Sequence, residues 1–400
     1  MINPLFRWAK TEPIRRTFGY YSVFFCLGLS AGIVGPILPS LAAQTGSTLA
    51  NVGLVFMVGS IAYTFGVIFG GRVFDRLRGH PVLGAAQICL GLVFFLIPYV
   101  PWFWLLLVLF CLRGLAESFI LTGSNAMLIW THGEKVSPFM NALHFFFGLG
   151  ALVSPLLVAQ VVSAALGYEW SLRALALFML VVGIRMVILP GSPQPVAQAA
   201  AEKKLAVGSQ MIYPFVISAM LFLFFYVGAE VSFTGWFYTY AVTLNLASAA
   251  GAAYLTSVFW LSFTISRLFS IPLAVRFSPK QVLPLASISC LTILLLAIVL
   301  PRSTWLLWLL AIGLGFCMAP IWPSGFTLAG QSINMTGSIS GMVLIGDSMG
   351  GMLLPWLSGK VIGTAGAQVL IYLVFGAMLM NFLMFGSMIN FRPKKINSES

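Results

Sequence analysis

Apolar residues run along this chain in long blocks, and each block ends at a cluster of charge or at glycine and proline. A helix needs about 20 apolar residues to cross the hydrocarbon of a bilayer. Cutting the sequence at its breaks on that measure predicts twelve helices, over residues 18–42, 51–71, 82–99, 102–127, 137–164, 171–190, 211–241, 248–271, 281–300, 303–329, 335–361 and 366–390. The predicted fold class is therefore an all-α membrane protein of twelve transmembrane helices. The longest break, from Gly191 to Gln210, mixes Pro193, Pro195, an Ala/Gln run, Lys203 and Lys204, and reads as a flexible linker. It divides the chain into six helices over 1–191, a linker over 192–210 and six helices over 211–400.

The two halves resemble each other at an offset of 200 residues. Phe24, Gly28 and position 30 recur as Phe224, Gly228 and Glu230; Val82-Leu83 recurs as Val282-Leu283; Pro155 faces Pro355; Arg76 has its echo in Arg276, while Asp75 is replaced by Val275. Parallel repeats of this kind predict two pseudo-symmetric six-helix bundles with a solute site between them near mid-membrane, reached from either side by rocking.

Composition agrees with the pattern. The 400 residues are 60% hydrophobic and 8% charged, with a mean hydropathy of +1.00, whereas a water-soluble domain carries about 25% charge. A formal net charge of +12 invites a nucleic-acid partner, but the lysines and arginines fall between apolar runs and form no single stripe, so nucleic-acid binding is excluded and the charges read as topology signals. Arg7, Lys10, Arg15, Arg16, Arg72, Arg76, Arg78, Lys135, Lys203, Lys204, Arg276, Lys280, Arg392, Lys394 and Lys395 all fall on one side, against little beyond Arg173 and Arg302 on the other. The positive-inside rule then places both termini in the cytoplasm of an inner (cell) membrane protein. Five cysteines, at 26, 89, 111, 290 and 317, lie in apolar runs without CxxC spacing and read as packing residues. Three scattered histidines make no metal site, and no HExxH, GxSxG or Walker-type loop is present. No cofactor and no enzyme activity is expected; the expected partners are a small-molecule substrate and membrane lipid, and the expected state is a monomer.

The segment from Gly70 to Leu83 puts three arginines and an aspartate between two apolar runs. Unpaired charges are costly in hydrocarbon, so the segment reads as a short loop in water. Its Gly71, Asp75, Arg76, Arg78 and Leu83 resemble the loop between helices two and three of major facilitator superfamily transporters, although Gly79 follows Arg78 and His80 stands where a second arginine is usual. The resemblance implies the twelve-helix major facilitator fold and a gating role for Gly71, Asp75, Arg76 and Arg78, with Asp75 clamping the ends of the two halves when that face is closed.

Four charges, Arg113, Glu117, Glu230 and Asp347, read as lying deep inside predicted spans, where ionisable groups face a cavity or a partner. Arg113 and Glu117 are four residues apart on span four and share a face, as a coupling pair or a structural ion pair, with Ser124 on the same face and Asn125 beside it. Glu230 shares a face of span seven with Tyr226 and Thr234 and has no basic residue within a turn. It either meets Arg113 across the cavity, binds a coupling cation or proton, or binds substrate hydroxyls. Asp347 lies in a glycine-rich stretch ahead of Pro355, as a coupling or a packing carboxylate. Asn141 and His144 share a face of span five, and Trp260 and Trp322 occur mid-span, where an indole can stack on a sugar ring or simply fill the core. Glu117, Asn125, Asn141, His144, Glu230, Trp260 and Trp322 are the candidate substrate-binding residues.

Several of these stretches are similar to one group within the superfamily. Asn141-Ala142-Leu143-His144-Phe145, Tyr226-Val227-Gly228-Ala229-Glu230-Val231, Tyr238-Thr239-Tyr240-Ala241, Pro323-Ser324-Gly325, Asn334-Met335-Thr336-Gly337 and Leu353-Leu354-Pro355-Trp356 resemble the sodium-dependent glucose transporter-like group and the related fucose permeases. The resemblance implies hexose transport by alternating access. Leu121-Thr122-Gly123-Ser124-Asn125 stands where that group carries D-T-G-G-N, so the group's helix-four acid is missing, and the coupling ion, Na+ or H+, is left open. A proton-coupled exporter of amphipathic drugs or lipid-like compounds is the alternative, suggested by 34 phenylalanines and 17 methionines.

Overall fold

The computed structural model describes residues 12–193, 212–300, 303–333 and 337–392. Helices occupy every predicted span: α1 (Glu12–Gln44), α2 (Leu49–Arg76, notched at Gly53), α3 (Gly79–Leu96), α4 (Phe103–His132), α5 (Ser137–Ser163), α6 (Glu169–Val187), α7 (Ile212–Thr243), α8 (Ala249–Arg276), α9 (Pro279–Val299), α10 (Thr304–Ser332, interrupted), α11 (Gly337–Ala365) and α12 (Val369–Asn390). Among the described residues, eleven are long and apolar enough to cross a membrane. The remaining one, α11, is 29 residues long, but Gly346, Asp347, Ser348, Gly350 and Gly351 dilute its middle. Most of the linker predicted over 192–210 lies outside the described residues, as do Arg7, Lys10, Arg302, Asn334 and Lys394.

The pairing of helices repeats between the halves. In the first half α1 packs on α5, α2 on α4 and α3 on α6; in the second, α7 packs on α11, α8 on α10 and α9 on α12. Across the halves, α8 meets α5, α2 meets α11, and α1 meets α7. The repeated sequence positions explain why. A Cβ at Gly28 or Gly150 would overlap a backbone carbonyl of the facing helix, Phe147 and Phe25 respectively, and a Cβ at Gly350 would overlap the Phe224 carbonyl in the other half. Small residues let backbones approach closely where lipid removes any hydrophobic drive to associate. Gly28→Ala is therefore expected to force α1 from α5 and to destabilise the protein by about 1–3 kcal/mol, as overpacking does. The melting temperature in detergent would fall, while Gly376→Ala, whose Cβ meets nothing within 4 Å, would melt like the parent.

Proline and a π-helical turn break α10, and the freed carbonyls are satisfied from neighbouring helices. Pro320 cannot donate to the Phe316 carbonyl, and the Ser266 hydroxyl donates to it instead at 2.6 Å. The turn Leu310–Leu314 is π-helical, and the Ser262 hydroxyl donates to the Ile312 carbonyl at 2.7 Å. Tyr226 of α7 donates to the Met318 carbonyl at 2.8 Å. In α11, Pro355 likewise leaves the Gly351 carbonyl open, and Ser60 of the opposite half reaches it at 3.5 Å. Irregular backbone at membrane depth persists only where such partners exist.

The segment from Gly70 to Leu83 keeps Arg72, Asp75, Arg76 and Arg78 exposed, as the sequence reading has it, but most of it is helix and not loop. Helix α2 continues to Arg76 and α3 starts at Gly79, leaving only Leu77 and Arg78 between them. His80 is fully buried. Its ring nitrogens bond Tyr20 Oη at 2.8 Å and the Leu189 carbonyl at 2.9 Å, and its backbone N–H donates to Ser192 Oγ at 3.0 Å. A ring with both nitrogens bonded inside protein needs no water, which is why this histidine can be internal.

The close approaches between halves lie from the middle of the bundle toward the face opposite the termini. Gly148 meets Thr264, Gly35 meets the Thr234 carbonyl, Gly53 and Phe56 meet Trp236, Gly363 meets Ala50, and Gln160 Nε2 donates to Tyr254 Oη at 2.8 Å. Toward the face that carries the helix ends nearest the termini, Phe65 of α2 and Ile345 and Met349 of α11 are exposed on a cavity between the halves, and a Cβ at Gly71 or Gly341 would meet nothing within 4 Å. The interior thus opens on the terminal face and is closed on the far one.

Candidate functional site

Charged side chains meet in two groups near the middle of the bundle, one in each half. In the first, Arg113 Nη2 and Glu117 Oε1 are 2.7 Å apart. Ser30 of α1 joins them: its hydroxyl donates to Glu117 Oε1 at 2.6 Å, while Arg113 Nε donates to Ser30 Oγ at 3.0 Å and Nη2 to the Ser30 carbonyl at 3.2 Å. The i,i+4 spacing places both charges on one face of α4, and Gly114, which meets the Gly59 backbone, seats that helix against α2.

The second group corrects the sequence reading of Glu230. Arg113 pairs with Glu117 and bonds Ser30, and among the described residues it forms no ion pair with Glu230, so of the alternatives read for Glu230 the contact with Arg113 is not made. The cation that acts on Glu230 is Arg267 of α8, which forms no ion pair with it within 4 Å among the described residues, and Tyr226 of its own helix lies beside it. The Tyr226 hydroxyl reaches the Met318 carbonyl; with one proton, it donates to one acceptor at a time. Arg267 is the functional candidate missed from the sequence. Its Nε is buried without a hydrogen-bond partner, its guanidinium lies 4.7 Å from the Phe263 ring centre, and His144 across the halves is also within its electrostatic reach. Positions 30 and 230 are equivalent in the repeat, so the two groups are related: a serine bridging an ion pair in one half faces a glutamate opposite an arginine in the other.

Asp347 is not part of the Arg113–Glu117 pair. Its Oδ1 accepts the indole N–H of Trp322 at 2.7 Å, and the Trp322 ring stacks on Phe326 with centres 5.3 Å apart. Tyr63 of α2 lies in the field of both Asp347 and Glu117, linking the groups across the interior.

Other predicted residues are not gathered here. Asn141 is exposed in the second turn of α5. Asn125 donates its amide to the Leu121 carbonyl of its own helix at 2.8 Å. Trp260 is buried among Phe147, Phe259 and Phe263 at the contact of α5 with α8, with its indole N–H unpartnered. Phe24 meets the His144 ring edge-on at 5.4 Å. Asp75, Arg76 and Arg78 are exposed on the terminal face and form no ion pair among the described residues, and a Cβ at Gly71 meets nothing within 4 Å. The clamp expected of Asp75 is not made with this face open.

The arrangement suits a carrier: charged and aromatic groups lie within the spans of both pseudo-symmetric halves. Comparison with known proteins agrees. The chain is 26% identical to mouse sodium-dependent glucose transporter 1A over 91% of its length and 94% of the relative's. It is 27% identical to human sodium-dependent glucose transporter 1, over 90% and 76%, and 27% identical to zebrafish major facilitator superfamily domain-containing protein 4A, over 93% and 87%. Among solved structures, the nucleoside transporter NupG superimposes with a TM-score of 0.74 at 16% identity, over 94% of this chain and 99% of that one. A bacterial homolog of the human lysosomal transporter Spinster, in an inward-facing, unoccupied conformation, superimposes with a TM-score of 0.75 at 12% identity, over 96% and 99%. The fold is that of these carriers, and the relatives are transporters, not enzymes. The family model of the Major Facilitator Superfamily matches residues 20–355, so this integral membrane protein, with its paired six-helix bundles around a charged interior, belongs to the major facilitator superfamily.

Proposed function

We propose that the protein is a secondary active transporter of a small polyhydroxylated solute of the hexose class, working by alternating access in the cell membrane with both termini in the cytoplasm. The observation that supports this reading is the set of charged and aromatic side chains deep within the spans of both halves: the Arg113–Glu117 pair bridged by Ser30 in one, and Glu230, Arg267 and the Trp322–Asp347 hydrogen bond in the other. Hydroxyls of a sugar accept from guanidinium groups and donate to carboxylates, and charge-assisted hydrogen bonds of that kind are the strong ones. Apolar ring faces of a sugar stack on indole, which Trp322 offers beside Asp347. The names of the relatives point the same way. In this orientation the structure is open to the cytoplasm, and Gly71, Asp75, Arg76 and Arg78 gate the closed form of that face.

The experiment is counterflow of labelled D-glucose, L-fucose and uridine in proteoliposomes, with and without a Na+ or pH gradient. Exchange of a hexose supports the proposal; exchange of uridine alone would replace the substrate class. One observation favours the amphipathic-exporter reading: a cavity of about 200 Å³ lies between α2 and α11, lined by Ile61, Thr64, Phe65, Ile345, Ser348, Met349 and Met352. Efflux of a lipophilic dye from the same vesicles, without hexose exchange, would establish it.

A further inference from the structure

The two seams between the halves are built from equivalent positions, and they are not filled alike. At one seam α5 and α8 close on each other: a Cβ at Gly148 would overlap the Thr264 hydroxyl, and the Phe147 and Trp260 rings meet with centres 6.2 Å apart. At the offset of 200 residues those four positions become Ser348, Thr64, Asp347 and Ser60. Thr64 and Ser348 line the cavity of about 200 Å³ between α2 and α11. The two rings that plug the first seam are replaced in the second by a serine and by an aspartate that bonds Trp322. Contact between α2 and α11 is kept only on the far side of the cavity, where Ser60 reaches the Gly351 carbonyl and Gly53 meets Gly359.

The cavity suits hydrocarbon. Ile61, Phe65, Ile345, Met349 and Met352 form most of its wall, and the Thr64 hydroxyl is spent on the Ser60 carbonyl at 2.8 Å. A water molecule needs two to four polar partners to stay in such a place, whereas a dry cavity of about 150 Å³ takes a benzene ring. The end of an acyl chain has room here. Its headgroup would find partners on the same helix face. Gly59, Gly66 and Gly70 seat α2 on α4, and Ile61, Phe65, Ile68, Arg72 and Arg76, spaced i, i+4, i+7, i+11 and i+15, form one stripe on the opposite side. Arg76 lies about 16 Å along the helix from Phe65, which matches one leaflet of a hydrocarbon core about 30 Å thick. Arg72, Arg76 and Arg78 are exposed, outnumber Asp75 and form no ion pair among the described residues. Basic groups at that level attract anionic headgroups.

We propose that the seam of α2 and α11 binds an anionic phospholipid from the leaflet on the terminal side: one acyl chain fills the cavity beside Phe65 and Met349, and the phosphate rests on Arg72 and Arg76. Because α2 and α11 belong to different halves, the terminal face cannot close with a chain between them. Bound lipid therefore favours the conformer open on that face. This conformational part rests on the alternating-access reading; the binding part does not.

The test is photolabelling in proteoliposomes with phosphatidylglycerol that carries a diazirine at the end of one acyl chain, the adducts being located by peptide mass spectrometry. Adducts should concentrate on the segments that hold Phe65 and Met349, with only background on exposed residues of α6 such as Val181. Unlabelled phosphatidylglycerol should compete roughly thirtyfold better than phosphatidylcholine, about fivefold for each arginine. Arg72→Gln with Arg76→Gln should remove that preference, and inorganic phosphate should not compete. Ser348→Phe fills the cavity and should abolish the adducts. A cysteine at Ala50 on the far face should react severalfold more slowly with an impermeant maleimide when phosphatidylglycerol is added to phosphatidylcholine vesicles, and Ser348→Phe should remove this dependence on lipid. Adducts spread evenly over the outer helices, equal competition by the two lipids, or Ala50 labelling that ignores phosphatidylglycerol overturns the proposal. So does efflux of a lipophilic dye that competes for the same adducts, which would give the cavity to the exporter reading. Should wild-type protein exchange no D-glucose, the hexose reading fails by itself, and the adduct map still decides the lipid site.

Discussion

Glu230→Gln is expected to weaken hexose binding about tenfold to a hundredfold. Hydrogen bonds to a charged group contribute about 1.5–3 kcal/mol, and 1.4 kcal/mol is about a factor of ten in affinity. The substitution keeps the shape and one acceptor, removes the charge, and takes away the negative field that Glu230 exerts on Arg267. Arg267 Nε is already buried without a hydrogen-bond partner, and taking a nearby opposite charge away leaves that cation less compensated, so stability would fall as well. The double substitution Glu230→Gln with Arg267→Gln separates the two effects. It strands no charge, so the melting temperature should recover toward that of the parent, whereas affinity should not, because both sugar-binding charges are gone. Competition by unlabelled hexose in the counterflow assay, read beside a melting curve, checks both. Parent-like affinity in Glu230→Gln would make the residue a packing acid with no place in the substrate site.

The twelve helices were legible because membrane depth fixes their length and every break is marked by charge, glycine or proline; α9 begins where Ser278, Pro279 and Gln281 form a capping box. The Arg113–Glu117 pair was equally legible, since i,i+4 neighbours meet on any helix. What failed was tertiary. Arg267 stood four residues from the predicted end of its span, where a long basic side chain ordinarily reaches the interface. Helix α8 in fact runs to Arg276, nine residues further, which places Arg267 about two and a half turns deep. His80 looked like loop because nothing local shows that Tyr20 and Leu189 close around its ring. Ser30 gave no signal as the bridge of the ion pair, and the bond from Trp322 to Asp347 joins different helices, which periodicity does not register.

Gly35→Val is expected to drive the protein toward the conformer open on the far face. A Cβ at position 35 would overlap the Thr234 carbonyl, and its other close neighbours are the backbone carbonyl atoms of Gly235. All three belong to α7 of the other half, so the substitution places a wedge between the halves on the closed side. When the far face opens the overlap disappears, and a difference in contacts between two conformers is what shifts their populations. Overpacking typically costs about 1–3 kcal/mol, equivalent to roughly a fivefold to hundredfold shift in the equilibrium. A cysteine at Ala50 on the far face should then react faster with an impermeant maleimide by about that factor, and one at Phe69 on the terminal face should react more slowly. General unfolding would accelerate both, so the opposed changes identify a population shift. Carrier turnover should fall, because a carrier held on one side no longer completes its cycle. Unchanged labelling at both positions would mean that α1 and α7 already have room at this seam, and that the far face is not held shut by their contact.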